Sequence, residues 1–493
     1  MPGCRIIIAL AAVSFVSGLS RPAAGTDLLG VYQDALRYDT QIRQAEATMK
    51  ASKEASPQAW SQLLPQLSGS YQLSRQKQSQ NSVYPLQCVV GTPGCSTGVL
   101  PLPYTTASYA NNYGYQLNLT QSLFSWNYIE TLSQAHKKVA QAEATYRAAQ
   151  QDLINRVATA YFNVLNAVDN LSAQQASLDA LTRQLDQANK RFQVGLIAIT
   201  DVKEAQAAHD AAAAAVIDGK RNLTAMLNAL RVITAQDYPD LEKPGDNMPL
   251  LTPQPADPQS WITTSMDQNL NLLAARLAAD VARDQVSIEF GGHLPTIAIS
   301  GTRQDTRSTN DLQEVFGGTS PLRLQYPGDF INNQIGIQIN VPLFSGGLVQ
   351  SEVRQAEYQW IAAKDNMQTV SRQTEAQARD AYDGVVSEVA RVEALKQGVV
   401  SAETALRATE AGAQVGTRTT VDVLTERQNL VSAQTTYAEA RYTYLLDIVA
   451  LRLAAGTLDE GTLKEINGWL TVNQSTSGSP PESQSTPAVP PQP

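Results

Sequence analysis

The sequence predicts a mainly α-helical protein that also contributes strands to a membrane β-barrel and is built from two similar halves. Between Trp126 and Val194 the chain has neither Gly nor Pro, and a helix of that length would extend roughly 100 Å. Four short stretches elsewhere alternate apolar and small polar residues, as half-buried strands do. The segment QVGLIAITDVK at 193–203 returns as QVGTRTTVDVL at 414–424, a spacing of 221 residues that indicates a duplicated half-protein.

The composition excludes several classes of function. Charged residues make up 17% of the 493 residues, and the net charge of -9 argues against binding to nucleic acid, which requires a basic surface. Three histidines and no cluster of His, Cys and carboxylates argue against a metal site. No phosphate-binding loop, nucleophile elbow or dinucleotide fingerprint is present. We therefore expect a protein that is not an enzyme and has no cofactor.

Residues 1–25 are predicted to be a secretory signal peptide. Arg5 precedes an apolar run at 6–16, and small residues at 23–25 suit a signal peptidase. The alternative is a buried N-terminal helix. Cys4 lies before the apolar run, which is not the position of a lipoprotein cysteine.

Two cysteines remain after the signal peptide. Cys88 and Cys95 flank a Gly-Pro turn in QCVVGTPGC, and in an exported protein we expect them to form a disulfide. The alternative is a pair of free thiols.

The four alternating stretches are predicted strands at about 66–75, 112–123, 295–302 and 333–344. Each carries an apolar and a small-polar face, as in NYGYQLNLTQSL and IGIQINVPL. The expected apolar positions include Leu67, Tyr71, Leu73, Tyr113, Tyr115, Leu117, Leu119, Ile297, Ile299, Ile335, Ile337, Ile339 and Val341.

The strands are arranged as two hairpin pairs, each with a long polar loop, at about 75–110 and 302–331. Apolar-out, polar-in strands with long loops at one end are typical of an outer-membrane barrel. Four strands cannot close a barrel, and open strand edges are not tolerated in lipid. If these strands lie in a membrane, identical copies must combine their strands.

The long helices carry apolar residues every seven positions, which indicates coiled-coil packing. The same phase returns 221 residues later, although Gly384, Gly398 and Gly412 weaken the second helix signal. The positions are Val157, Val164, Leu171, Leu178, Leu185 and Phe192, then Ala378, Val385, Val392, Val399, Leu406 and Ala413.

Each long helix is expected to end at a Val-Gly turn, at 195–200 and at 416–421. The return helices are expected to be capped by Thr200 with Asp201, and by Thr420 ahead of Asp422. The two repeats then span residues 26–250 and 251–456. A C-terminal region at 457–493 ends in a Pro-, Ser- and Gln-rich tail that we expect to be disordered.

This combination resembles the TolC family of outer-membrane efflux and secretion ducts over about residues 27–456. The motifs that carry the resemblance are FQVGLIAITDV, QVGTRTTVDVL, VPLFSGG, LLPQL and HLPTI. The resemblance implies a homotrimer with a shared twelve-stranded barrel in outer-membrane lipid and a periplasmic tunnel of twelve helices. It also implies a periplasmic adaptor and an inner-membrane ABC or RND transporter as partners. The absence of a lipoprotein cysteine favours the non-lipidated, type I secretion branch.

The resemblance also implies roles for individual residues. Arg418 would link to Thr200 and Asp201 of the partner hairpin as a gate latch, and Asp422 would form an acidic ring at the pore constriction. Gly195 and Gly416 would lie in the turns that meet the adaptor. The alternative is that Thr200 and Asp201 only cap a helix while Arg418 is solvated.

Two positions depart from the family pattern. Thr425 stands where a second aspartate is expected, and Ala413 stands where a tyrosine joins the latch. We therefore expect a weaker gate with one acidic ring.

Two rival functions remain open at this point. A surface coiled-coil or adhesin protein would explain the heptads and the export, but not the paired strands. A plain diffusion porin would not require such long helices.

Overall fold

The computed structural model describes residues 26–91, 93, 99–245, 248–316 and 322–471. The predicted signal peptide and the Pro-rich tail lie outside these residues. The chain divides into two compact units. One comprises Met1–Ala45, Arg147–Leu270 and Arg372–Pro493, and the other comprises Glu46–Tyr146 and Asn271–Ser371.

The described chain is mostly helical and contains a four-stranded antiparallel sheet. The helices are α1 (Leu28–Tyr38), α2 (Thr40–Lys53), α3 (Ala55–Ser61), α4 (Trp126–Gln193), α5 (Ile199–Thr234), α6 (Pro258–Gln268), α7 (Leu270–Phe290), α8 (Leu348–Gln414), α9 (Thr420–Ala454) and α10 (Glu460–Asn467). The strands are β1 (Gln66–Gln87), β2 (Val99–Phe124), β3 (Lys243–Pro244), β4 (Thr296–Phe316), β5 (Leu322–Asn340) and β6 (Leu470–Thr471).

The large sheet has the order β1-β2-β4-β5, so the two predicted hairpins pair with each other through β2 and β4. Gly114 allows their close approach, because a Cβ at that position would lie 2.2 Å from the carbonyl oxygen of Asp305. The strands β1 and β5 form the two edges of the sheet within the described chain.

One face of the sheet carries the apolar side chains that the alternation predicts. Leu67 pairs with Leu119 and Ile299 pairs with Ile337, and directly paired residues share a face. These side chains are uncovered in the single chain, with Leu73 78% and Ile335 82% exposed. The opposite face is polar, and there Gln116 donates to Asn118 at 2.9 Å. The sheet therefore presents an apolar surface that nothing in the described chain covers.

The strands are longer than predicted, and the two predicted polar loops are wrong over most of their length. The β1–β2 ladder extends from Gln66 to Gln87, and the β4–β5 ladder covers most of 302–331. Beyond about residue 75 the side chains on both faces are largely polar, so the sequence shows no apolar alternation there. Backbone hydrogen bonds between adjacent strands hold these segments extended whatever side chains they carry.

Substitution by Arg distinguishes the two faces of the sheet. If the apolar face lies in lipid, Leu117→Arg or Ile337→Arg should destabilise the membrane-inserted protein by about 2–4 kcal/mol near the middle of the bilayer. Asn118→Arg, at the adjacent position on the polar face, is the matched control. The measurement is the amount of protein recovered from outer membranes as a heat-stable oligomer. Equal recovery of L117R and N118R would contradict a lipid-facing surface.

Cys88 lies just past the end of β1 and is disulfide-bonded, whereas Cys95 lies outside the described residues. We expect neither cysteine to react with a maleimide in intact cells unless a reductant is added first. Because the predicted ring is short, Cys88→Ser with Cys95→Ser should destabilise the loop only modestly and leave transport unchanged. Labelling of both thiols without reduction would contradict the pairing.

In the sheet-containing unit, the first turns of α4 pack against α7. The Trp126 indole N–H donates to the carbonyl oxygen of Ser287 at 3.1 Å, and Lys137 pairs with Asp284 at 2.6 Å. These contacts fix the start of the long helix where the chain leaves β2.

In the other unit, the predicted heptad positions form much of the helical core. Val157 and Val164 on α4 are buried, as are Ala378 and Val385 on α8. Burial decreases toward the ends of these helices, where Phe192 is exposed. The three glycines predicted to weaken α8 do not interrupt it.

The segment that connects the two halves is held against this core at residues 243–245 by an ion pair and hydrogen bonds. Asp169 on α4 forms an ion pair with Lys243 and accepts a hydrogen bond from the Tyr442 hydroxyl at 2.6 Å. Arg441 donates to the carbonyl oxygens of Pro244 and Gly245. Since both partners of Asp169 come from distant parts of the sequence, this cluster ties the connecting segment to both long hairpins.

Candidate functional site

The turn between α4 and α5 reverses the chain at Gly195. Gly195 has a φ of 71°, in the left-handed region that glycine adopts without steric cost. Its N–H donates to the Phe192 carbonyl oxygen at 2.9 Å, and the Leu196 N–H donates to the Arg191 carbonyl oxygen at 2.9 Å. These bonds satisfy carbonyl groups that the end of α4 would otherwise leave unpaired.

The turn between α8 and α9 has the same geometry 221 residues later. Gly416 has a φ of 80°, and its N–H donates to the Ala413 carbonyl oxygen at 3.3 Å. The Thr417 N–H donates to the Gly412 carbonyl oxygen at 2.9 Å. We call residues 194–198 and 415–419 the first and second tips. They begin and end within one or two residues of the predicted turns.

The two return helices begin differently, and neither begins at the predicted cap. Thr419, not Thr420, caps α9: its hydroxyl accepts from the Asp422 N–H at 3.2 Å, and the Asp422 carboxylate accepts from the Thr419 N–H at 2.9 Å. At the start of α5 the equivalent cap position is Ala198, which has no side-chain acceptor. Thr200 therefore lies inside the first turn of α5 rather than at its cap.

Asp201 and Asp422 occupy equivalent positions, but of the two only Asp422 is held by a hydrogen bond in the described chain. The backbone N–H of Thr419 donates to the Asp422 carboxylate and lowers its pKa, assisted by the Thr419 hydroxyl and by the nearby charge of Arg418. Asp201 is in no ion pair within the part of the chain that the structure describes. One carboxylate thus stabilises a helix start, and the other is available to a partner.

Arg418 folds back over the end of α8. Its Cγ lies 2.9 Å from the position that a Cβ on Gly412 would occupy, so Gly412 leaves the space that the arginine side chain fills. Arg418 is exposed, and among the described residues no ion pair joins it to Asp201 or to any other carboxylate. Within one chain, the predicted latch residues are therefore not brought together.

A cavity of about 350 Å³ lies between the two hairpins beside the tips. It is basic, because Arg183 and Arg191 from α4 join Arg418 and Arg427 there. Its single carboxylate is Glu410, which pairs with Arg427 across the second hairpin. Ala413, where the family pattern has a tyrosine, also lines this space.

Sequence reasoning missed most of these charged residues. Glu410 lies five residues before the second tip and Arg427 lies eight residues after it, and opposite charges on the two sides of a turn are a signal for a pair across a hairpin. Arg183 and Arg191 had no such signal, because their position depends on how one hairpin packs against the other.

Below the first tip, α4 and α5 are joined by a small apolar cluster. Ala188, Val202 and Ala205 are buried, and Leu185 and Ile197 pack against them. The small alanines allow the helices to approach closely, which keeps the turn in place although it is itself exposed.

A model of the outer membrane efflux protein family matches residues 31–236 and 261–457. The chain belongs to this family. It is 34% identical over 467 residues to the outer membrane protein TolC of Escherichia coli, which covers 94% of this chain and 88% of that protein. It is 29% identical to the alkaline protease secretion protein AprF of Pseudomonas aeruginosa over 92% of this chain and 89% of that protein.

A solved structure of another outer membrane channel shows the same fold. The CmeC outer membrane channel of Campylobacter jejuni superimposes with a TM-score of 0.66, covering 95% of this chain and 97% of that one at 19% identity. This efflux protein is therefore a channel of the Gram-negative outer membrane that serves efflux or secretion, which is not an enzymatic kind of protein. The alternative of a surface coiled-coil or adhesin protein is therefore wrong.

Two further findings concern the described residues alone. None of their helices has a stretch long and apolar enough to span a bilayer. They also contain no group of three or more His, Cys, Asp or Glu side chains placed to hold a metal ion.

Proposed function

We propose that three copies of this chain form a passive, gated conduit for type I secretion or multidrug efflux. In this arrangement the four-stranded sheets combine into one twelve-stranded barrel in outer-membrane lipid, and the paired hairpins combine into a tunnel of twelve helices in the periplasm. Each chain contributes two structural repeats, 26–250 and 251–456.

The observation that carries this proposal is that the sheet of a single chain has open edges and exposed apolar side chains. The edge strands β1 and β5 have backbone groups without a neighbouring strand in the described chain, and one face carries a group of exposed apolar side chains. Unpaired backbone groups are very costly in lipid, so a four-stranded sheet is viable there only when copies close it into a barrel. The outer-membrane location of the family supports a lipid environment for this sheet.

Exposed apolar side chains in the two tips support contact with a partner protein there. Val194 and Val415 are 70% and 76% exposed, and Leu196 in the first tip is also exposed. Exposed apolar residues next to a fixed turn suit a protein interface. We infer that these residues contact the helical hairpins of a periplasmic adaptor, which joins the conduit to an inner-membrane ABC or RND transporter.

The free carboxylate of Asp201 and the unpaired guanidinium of Arg418 support a latch between hairpins of different copies. An Arg–carboxylate pair is directional and strong enough to hold, yet it can be exchanged for other partners. The three Asp422 carboxylates would ring the narrowest point of the tunnel and attract cations. Thr425 adds no charge, so the ring has a single layer.

Two experiments test this function. Outer membranes solubilised in a mild detergent should give a band of three chains on an unheated gel, and a monomer would contradict the shared barrel. A photoreactive side chain at Val194 or Val415 should cross-link in cells to an adaptor with its transporter, whereas one at Val232 on α5, also exposed, should not. Equal cross-linking at all three positions would contradict docking at the tips.

A further inference from the structure

A cavity of about 360 Å³ lies in the helical unit beside the last described residues of the chain. The segment 250–254 forms one side, and helices α8 and α9 contribute Val385, Ile448 and Leu451. Trp261 from α6 and Trp469, just past α10, complete the lining. The site is distinct from the sheet and from the tips, and the proposed conduit function makes no use of it.

Most side chains that line this cavity are apolar or aromatic, and several are held in place by hydrogen bonds. The Trp261 indole N–H donates to the Pro255 carbonyl oxygen at 2.9 Å, and the Arg452 guanidinium lies 5.8 Å from the centre of the Trp261 ring. The Tyr444 hydroxyl accepts from the Leu251 N–H at 2.7 Å and donates to the Leu251 carbonyl oxygen at 3.1 Å. A ligand would therefore meet a preformed surface and would not have to order it.

The charge in the cavity is balanced. Arg452 and Glu465 both line it, and neither forms an ion pair in the described part of the chain. A strongly charged ligand gains little in such a place, whereas an uncharged apolar segment can bury its side chains there. Leu251, which is half exposed, and the half-buried Trp469 are the open parts of the surface.

The chain itself carries a segment of matching chemistry. Residues 480–493 read PPESQSTPAVPPQP, with six prolines and Glu482 as the only charged side chain. Proline-rich segments favour the extended polyproline II backbone, and aromatic-lined grooves bind it because little conformational entropy is lost. Trp469 lies three residues before Val472, where the undescribed C-terminal segment begins.

We propose that the proline-rich segment 480–493 binds in this cavity of its own chain, against Leu251 and Trp469. A connection of nine residues, from Thr471 to Pro480, would span roughly 16 Å if it behaved as a random chain, enough to reach the lining residues. Tethering so close to the site gives the segment a local concentration in the millimolar range, so weak contacts suffice. When bound, it would hold the segment 250–254 against α9.

Cysteine cross-linking in the purified full-length protein tests this proposal. Thr252→Cys lies on the exposed rim of the cavity, and Ala488→Cys lies in the middle of the proline-rich segment. A short bismaleimide should join them within one chain, detected as a linked peptide after proteolysis while the protein still migrates as a single chain on a denaturing gel. The control pair is Val232→Cys with Ala488→Cys, because Val232 is highly exposed but does not line the cavity.

A second variant changes only the proline-rich segment and no residue that lines the cavity. Replacing Pro487, Pro490 and Pro491 by Gly in the same cysteine pair should lower the yield of the T252C–A488C link roughly tenfold, toward that of the control. Equal yields from the two cysteine pairs, or an unchanged yield after the proline replacements, would overturn the proposal. A link between two chains would show that the segment binds a neighbouring copy, and this would also overturn binding within one chain.

Discussion

Bulky side chains at the two tip glycines are expected to abolish export while leaving assembly intact. In Gly195→Trp and Gly416→Trp, the new side chain would project from the tip, because no atom lies within 4 Å of a Cβ built at either glycine. The positive φ at these positions makes a non-glycine residue cost about 1–2 kcal/mol of local strain, which the proposed trimer should tolerate. The large indole would then separate the tips from the adaptor.

The matched control for the tip variants is Gly91→Trp. Gly91 also has a positive φ and open space around its Cβ, but it lies beyond β1, far along the sequence from either tip. Gly195→Asn provides a second control, since asparagine tolerates the left-handed conformation and adds little bulk. Export is measured as secreted substrate per cell, and assembly as heat-stable trimer. Normal export by both tryptophan variants would exclude docking at the tips.

Removing both members of the proposed latch is expected to raise single-channel conductance in planar bilayers. Arg418→Ser with Asp201→Ala should open the periplasmic end, because neither residue has an ion-pair partner within its own described chain and both are left for contacts between copies. The basal fold should be unaffected, since Asp201 caps no helix and Arg418 is exposed.

A double variant of an ordinary surface pair is the control for the latch. Arg407 and Glu403 form an exposed pair one turn apart on α8, and Arg407→Ser with Glu403→Ala should leave conductance at the wild-type value. If the latch variant also conducts as the wild type does, Arg418 and Asp201 do not hold the tunnel closed.

The acidic ring is tested by Asp422→Asn, which removes the charge but keeps an oxygen that can accept from the Thr419 N–H. Block by multivalent cations should disappear in this variant, with no loss of the helix start. In a single chain the Thr419 N–H lowers the pKa of Asp422, whereas the two other carboxylates of the proposed ring would raise it. Cation block in the wild type should fade as the pH falls through the pKa that results from these two opposing effects. Block that persists in D422N would place the cation site elsewhere.

The sequence alone determined the long helices and their turns. The stretch predicted as helical from Trp126 to Val194 corresponds to α4, which ends one residue earlier at Gln193. This succeeded because helix continuity and Gly-mediated reversal are local properties, set by the absence of Gly and Pro and then by one residue that favours a positive φ. The apolar strand faces were predicted for the same reason, since alternation is visible within a few residues.

Tertiary pairing decided the length of the strands. Polar segments beyond residue 75 and residue 302 became strand because a neighbouring backbone supplies hydrogen bonds that do not depend on side-chain type. Even the cap of α9 was misplaced by one residue. Thr419 and Thr420 are equally plausible in the sequence, and only the backbone geometry shows which hydroxyl accepts from Asp422.

The charged surroundings of the tips also depended on tertiary structure. Arg183 and Arg191 reach the cavity near Arg418 because the first hairpin packs beside the second, over a sequence separation of more than two hundred residues. The sequence could propose Arg418 and Asp201 as partners by family resemblance, but the fold of one chain leaves them apart. Local chemistry thus specified the helices, the turns and the apolar faces, whereas packing between distant segments decided which charges meet.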